Sequence, residues 1–319
     1  MNKVFSILAL IPFLSLAQSF APDPDELGTT AIFKDSSIFV AWATGVDVNR
    51  GYLNVQTPAD GYVSFGSDLD AIGVATGTEV VSLGDGGSAI VTFNRPIANG
   101  LGPDFAIFEN GFLDHYIELA FVEVSSNGID YVRFPAISEE QDTLQIDNFN
   151  FSDCRYFYNF AGKYRANYGT PFDLEELIDS TNLDVNNITH IKLIDVVGSI
   201  DPLYGSYDSQ GNIINDTYPT PFPSGGFDLD GIGVINELPL DLMTDKLGDL
   251  KVIPNPSHGM FSLIIEGRGE YTVTNLQGKI LLLESFNGPF EIDLTDQDPG
   301  VYFMRITDST ERVIQLIKL

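Results

Sequence analysis

Short apolar runs that alternate with polar residues, each stopped by glycine, proline or asparagine, recur along most of this chain. Alternation at period two sends successive side chains to opposite faces, which fits half-buried β-strands rather than helices. In Ser88–Phe93, Ala89, Val91 and Phe93 share a face; Ile117, Leu119 and Phe121 do so in Tyr116–Ser125. Ile191, Leu193 and Val197 do so in Thr189–Val197. Asn127-Gly128, between Val124 and Tyr131, predicts a hairpin because both residues tolerate positive φ. The 30 glycines and 17 prolines supply the turns that a many-stranded fold needs. One short helix is expected at Leu174–Asp179, capped by Asp173, with Glu176 three residues on completing a capping box. The fold class expected is all-β.

Punctuation divides the chain. Lys3, the apolar run Val4–Leu16 and the small residues Ser15 and Ala17 read as a secretory signal over residues 1–17, leaving Gln18 as the mature start. The run falls short of the roughly 20 apolar residues that span a bilayer. Residues 18–236 suit one large β-sandwich of jelly-roll type. Residues 237–249 read as a linker, with Pro239 and alternating Leu and Asp across Glu237 to Gly248. Beyond it come seven short runs at hairpin spacing: Leu250–Ile253, Met260–Ile265, Gly269–Asn275, Lys279–Glu284, Phe290–Leu294, Val301–Ile306 and Glu311–Lys318. Pro254, Asn255, Pro256, Gly278, Pro299 and Gly300 mark the turns, so residues 250–319 are expected to form a second, small β-sandwich.

Charge narrows the partners. With 45 acidic against 16 basic residues, the net charge of −29 opposes nucleic acid and anionic membrane surfaces, both of which need a basic footprint. The 23 Phe and 13 Tyr nonetheless provide for a packed core rather than a disordered acidic tail. A single cysteine, Cys154, excludes an intrachain disulfide and a cysteine zinc cluster. His115, His190 and His258 stand in no metal or catalytic motif, and no Gly-x-Ser-x-Gly elbow occurs. The expectation is a non-catalytic protein; a hydrolase built on paired carboxylates is the alternative.

The acids themselves suggest a site. In Phe227-Asp-Leu-Asp230, alternation puts Asp228 and Asp230 on the face opposite Phe227 and Leu229, about 7 Å apart as along one strand. In Pro103–Gly111, Glu109 falls on the face of Phe105 and Ile107, and Asp195 sits likewise beside Leu193 and Val197. A carboxylate on an apolar face needs a partner, and with few basic residues available a structural Ca2+ is expected near Asp228, Asp230, Asp104, Glu109, Asn110 and Asp195. The alternative is that these acids are solvated or cap loop amides. The segment Gly66–Val74 echoes Gly226–Val234, which suggests two equivalent strands. A ring-rich stretch holding Tyr156, Tyr158, Tyr164 and Tyr168, joined by Trp42 and Tyr52, suggests a stacking surface for a small molecule or glycan; packing of the same rings is the alternative.

Two resemblances extend this reading. VIPNPSHGMFSLII, VTNLQGKILL, IDLTDQDPGVYFMRI and the closing VIQLIKL resemble the C-terminal sorting domain of type IX secretion cargo. That implies handling by the type IX machinery and delivery across the outer membrane to the cell surface or medium. Ser82–Phe93, Gly102–Gly111, Gly162–Leu174 and Ser224–Ile232 are similar to a family of bacterial cell-surface proteins, some of which accompany cobalamin-uptake receptors. That resemblance implies an extracellular binding protein that captures a corrinoid for an outer-membrane transporter, although no motif here is tied to the corrinoid itself. A carbohydrate-binding or adhesive module stands beside it.

Overall fold

A computed structural model describes residues 20–238, 251–265, 267–276, 278–307 and 311–319. The expected signal segment and nearly all of the expected linker lie outside the described residues. The chain divides into two compact units between Leu238 and Pro239.

In chain order the strands of the first unit are β1 Ile32–Phe33, β2 Ala41–Trp42, β3 Gly45–Asn49, β4 Val81–Ser82, β5 Ser88–Ile97, β6 Phe105–Glu109 and β7 Ala120–Ser125. They continue with β8 Val132–Arg133, β9 Ile137–Ser138, β10 Phe157–Tyr158, β11 Tyr168–Phe172, β12 Ile188–Asp195 and β13 Asp228–Val234. One antiparallel sheet runs β1-β11-β6-β13-β2, with β4 also paired to β13; a second runs β3-β5-β12-β7-β8, and β9 with β10 forms a small ribbon. The two larger sheets make a sandwich. Val91, Val122 and Leu193 of the second sheet share one core with Ile107, Leu229 and Ile232 of the first. Burying each such side chain contributes about 1.5–3 kcal/mol.

Alternation along β7 sorts two cores. Val122 and Val124 enter the core between the sheets, while Phe121 joins Ile117 and Leu119 in a second cluster with Phe157, Phe160 and Tyr164. The Asn127-Gly128 hairpin is present between β7 and β8. The Asn127 side-chain oxygen accepts from the amides of Ile129 and Asp130, and Gly128 takes a φ of 72°.

Two local expectations are corrected. The helix is a single 3-10 turn, Leu174–Leu177. Asp173 caps the Glu175 amide, but Glu176 turns away from the cap to accept from the Tyr158 hydroxyl at 2.9 Å and Asn159 Nδ2 at 2.6 Å. The echoed segments are not equivalent strands. Gly226–Val234 carries β13, buried at every strand position, whereas Asp68–Ala71 is a 3-10 turn with a capping box formed by Ser67 and Asp70. The deciding difference is Ser67 against Phe227. The hydroxyl accepts the Leu69 amide and closes a turn, while the ring is buried in the core and draws its segment into the sheet. Leu69 is accordingly 70% exposed and Leu229 fully buried. Replacing Ser67 with Ala is expected to cost about 1 kcal/mol, a fall in Tm of about 2–4 °C in a thermal melt.

The second unit contains β14 Lys251–Ile253, β15 Met260–Ile264, β16 Arg268–Asn275, β17 Ile280–Asn287, β18 Phe290–Asp293, β19 Gly300–Thr307 and β20 Glu311–Lys318. All seven expected runs are strands. They form the sheets β14-β15-β18 and β17-β16-β19-β20 around a core of their own that includes Phe261, Val273, Met304, Ile306 and Leu316. Among the described residues, no helix is long and apolar enough to cross a membrane.

Candidate binding pocket

The centre of the first unit buries an unusual number of carboxylates, and most are explained by backbone amides. Asp104 accepts from the amides of Gly100 at 2.7 Å and Leu174 at 2.8 Å and from Asn236 Nδ2 at 2.9 Å. Asp195 accepts from Gly86 at 3.0 Å and Phe227 at 2.7 Å, Asp216 from Leu119 at 2.8 Å and Thr217 at 2.7 Å, and Asp85 from Val55 at 2.8 Å. These acids pin loops to strands by satisfying amides that the sheets leave over. Of the expected cation ligands, Asp104 and Asp195 are therefore loop staples.

Asp230 joins them because of a bulge. Between β6 and β13 the pairing moves from Leu229↔Glu109 to Gly231↔Phe108, so Asp230 is the extra residue. A bulge re-aims the side chains around it. Asp230 accepts from the amides of Thr76 and Gly77, both at 2.8 Å, instead of lining a site with Asp228.

Glu109, Asn110 and Asp228 do come together, and a residue the alternation did not single out, Glu118, joins them. With Gly111, Tyr116 and Thr220 they line a cavity of about 210 Å³. Phe65, Phe112, Phe222 and Ser224 complete its wall. Phe112 is 72% exposed and stacks on Tyr116 at a centroid distance of 4.7 Å; Phe65 and Phe222 are each about half exposed, so rings stand at the rim above buried acids. Glu109 Oε2 accepts from the Gly111 amide at 2.6 Å, and Asp228 accepts from the Ser82 hydroxyl. With its amide turned so that the nitrogen faces the two acids, Asn110 donates to Glu109 Oε1 at 3.1 Å and to Asp228 Oδ2 at 3.2 Å. The Glu118 carboxylate, on a residue only 9% exposed, has no hydrogen-bond or ion-pair partner among the described residues.

Electrostatics follow from burial. Desolvation raises the carboxyls of Glu109 and Glu118 well above their ordinary values, and the neighbouring Asp228 charge pushes both further. Asp228 is raised to about 7 by burial, against the opposing pull of the Ser82 hydrogen bond and of Arg50. Arg50 spends its guanidinium elsewhere, donating to the carbonyls of Phe65, Gly66 and Ser82 and lying 3.6 Å from Asp68. Among the described residues, no basic side chain forms an ion pair with Glu109, Glu118 or Asp228, and no group of three or more Asp, Glu, His or Cys side chains is placed to hold a metal ion.

The expected aromatic surface does not line this cavity. Tyr164 is core, with its hydroxyl 2.8 Å from Thr30 Oγ1. Trp42 packs on Phe39 and Phe108, Tyr168 lies beneath Arg165 and beside Phe33, and Tyr158 stacks on Phe20. Tyr156 is 43% exposed, and Tyr52 stacks on Tyr62. The rings that do form the rim, Phe65, Phe112 and Phe222, sit in glycine-bearing loops; the signal for one of them was Glu109-Asn-Gly-Phe112, an acid and a turn before an apolar residue. The Cys154 thiol is buried and raised by that burial, and Thr189 Oγ1 meets the His190 ring on β12.

Residues 251–318 match the family model of the secretion system C-terminal sorting domain. The second unit is thus a type IX sorting tail, and the chain is cargo for delivery to the cell surface or extracellular space. No curated protein matches the chain. Among solved structures, the BSP domain of a biofilm associated protein aligns over 89% of this chain and 53% of that one, at 11% identity and a TM-score of 0.20. A β-glucuronidase of Parabacteroides merdae, with glycerol in its active site, aligns over 92% of this chain and 36% of its own, again at 11% identity and a TM-score of 0.20. The chain spans about half the length of the first of these, and neither alignment describes a shared fold.

Proposed function

We propose that the chain is a non-catalytic binding protein, exported by type IX secretion, whose first unit takes one sugar-sized, hydroxyl-bearing group of an extracellular ligand into the acid-floored cavity. The observation that carries this reading is the pairing of exposed Phe65, Phe112 and Phe222 at the rim with Glu109, Glu118 and Asp228 below. Aromatic faces stack on the apolar face of a pyranose, and buried acceptors fix its hydroxyls. The volume of about 210 Å³ lies below the roughly 300–1,000 Å³ of sites that enclose drug-sized ligands, so a corrin macrocycle does not fit inside. A single ring projecting from a glycan does.

The test is retention on immobilised polysaccharides and a glycan array. The intact mature chain is expected to bind, and Phe112→Ala with Phe222→Ala to lose about tenfold or more in affinity, about 1.4 kcal/mol, while melting as wild type does. Acids beneath aromatic rings also serve glycosidases, so the same samples are assayed for new reducing ends. Release of sugar that Glu118→Gln abolishes, or cobalamin that co-elutes with the chain in gel filtration, would replace this reading.

A further inference from the structure

We infer that the chain takes a neutral polysaccharide, several sugars of which lie along a row of exposed rings that continues past the cavity on Phe149 and Phe151. The inference rests on the pocket reading, which seats one sugar, and adds the sugars on either side of it.

Phe149 is 87% exposed and Phe151 60%. Single apolar residues on a surface need no explanation, but contiguous ones mark a contact face, and here the loops make them contiguous. Residues 147–152 bridge the two walls of the cavity. On one side Asn148 Nδ2 donates to the Pro219 carbonyl at 2.8 Å, next to the lining Thr220. On the other the Ser152 amide donates to the His115 carbonyl at 3.0 Å, next to the lining Tyr116. Asp147 closes the turn between them, accepting the Phe149 amide on its side chain at 2.9 Å and the Asn150 amide on its carbonyl at 3.1 Å. The Pro223 carbonyl in turn accepts from the amides of Ser64 and Phe65, both at 2.9 Å, and so ties the loop of Phe65 to that of Phe222. The five rings Phe65, Phe222, Phe112, Phe149 and Phe151 therefore stand on loops bonded to one another. The cavity of about 210 Å³ seats one sugar, which leaves the rings beyond it to neighbouring sugars of the same chain.

Two features choose the occupant. An apolar protein surface laid here would seal Glu109, Glu118 and Asp228 beneath it without donors, at high cost, whereas a sugar covers rings with its C–H face and offers hydroxyl donors to the acids. Charge then chooses among glycans. The ring-bearing loops carry Asp114 and Asp147, and the arginines that touch these loops are engaged within the chain. Arg165 pairs with Asp114 at 2.5 Å and Asp25 at 2.7 Å, and Arg50 donates to the carbonyls of Phe65, Gly66 and Ser82. On a chain of net charge −29, a uronate or sulfated polymer meets repulsion that a neutral one does not.

The experiment titrates the intact mature chain in a calorimeter with malto-, cello-, laminari- and manno-oligosaccharides, from the single sugar to the hexamer. Alginate and a sulfated galactan serve as anionic polymers. Affinity for a neutral series is expected to rise tenfold or more between dimer and hexamer. Phe149→Ala with Phe151→Ala is expected to flatten that rise while melting as wild type does, because both rings stand in solvent. Ile129→Ala, 81% exposed on the β7–β8 hairpin, is expected to bind as wild type. Affinity that does not grow with length, a double variant that binds the hexamer undiminished, or tighter binding of either anionic polymer would overturn the inference. So would capture of apolar peptides from a peptide array that the double variant loses. Length-independent binding that Phe112→Ala with Phe222→Ala abolishes removes the row of rings and leaves the pocket reading standing; binding of no neutral series removes both.

Discussion

A chain that lacks residues 250–319 accumulates folded inside the outer membrane, and none of it reaches the surface or the medium. The expectation follows from two independent cores. The second unit closes its own sandwich over Phe261, Val273, Met304 and Leu316, and the first unit retains its full inter-sheet core when that sandwich is removed. What is lost is the sorting domain, and with it the address. A smaller cut is expected to act alike. β20 is a sheet edge that buries Leu316, and Lys318 Nζ donates to the carbonyls of Thr295 and Gln297, so deleting 311–319 strips one wall of the tail core. Fractionation with a blot against the first unit reads both variants, and circular dichroism of the retained species reads its folding. Surface display of either variant at wild-type level would sink the prediction.

Replacing Asp195 with Ala strips the buried Phe227 amide of its acceptor, together with the amide of exposed Gly86. The buried donor left without a partner costs about 1–3 kcal/mol, whereas the Gly86 amide turns to water, so the variant is expected to lose roughly 1–3 kcal/mol of stability. Asn keeps one oxygen and is expected to lose about half as much. Urea unfolding followed by tryptophan fluorescence of Trp42 measures both; an Ala variant within about 0.5 kcal/mol of wild type would show that Asp195 is no staple.

The same buried acids set the pH dependence of stability. Burial raises the carboxyl of Asp85 to about 6 and that of Asp216 to about 7, each from an ordinary 3.8. The unfolded chain therefore gives up these protons first as pH rises. Folding is disfavoured progressively from about pH 4 until the folded carboxyls have ionised near pH 6 and 7, and the loss is complete above that. The protein is expected to melt higher at about pH 5 than at about pH 8. Asp85 accepts from Val55 through one oxygen alone, so Asp85→Asn keeps that bond and is expected to flatten the part of the curve between about pH 4 and 6.

Period-two alternation makes the strands legible in the sequence, because a half-buried strand writes its two faces into neighbouring residues. Ala89 and Val91, Ile191 and Leu193, and β15 and β19 of the sorting tail obey it. Burial of Glu109 and Asp195 was legible for the same reason, since each acid interrupts an apolar face within its own strand. Local pattern reaches no further than that. Asp195 finds its amides 32 and 109 positions away, Asp230 153 and 154, and Asp104 one of its two 70 away, distances at which no spacing rule links a carboxylate to its donor. Glu118 reads as an outward residue between Ile117 and Leu119, and it would be one if its face met water. It is buried because that face meets other segments, with Gly162 crossing its carbonyl and the ring of Phe227 beside that glycine. The near-identical Ser67 and Phe227 segments separate on the same ground. Whether a polar face sees solvent or chain depends on what a distant segment lays over it, and that is settled by how the sheets stack.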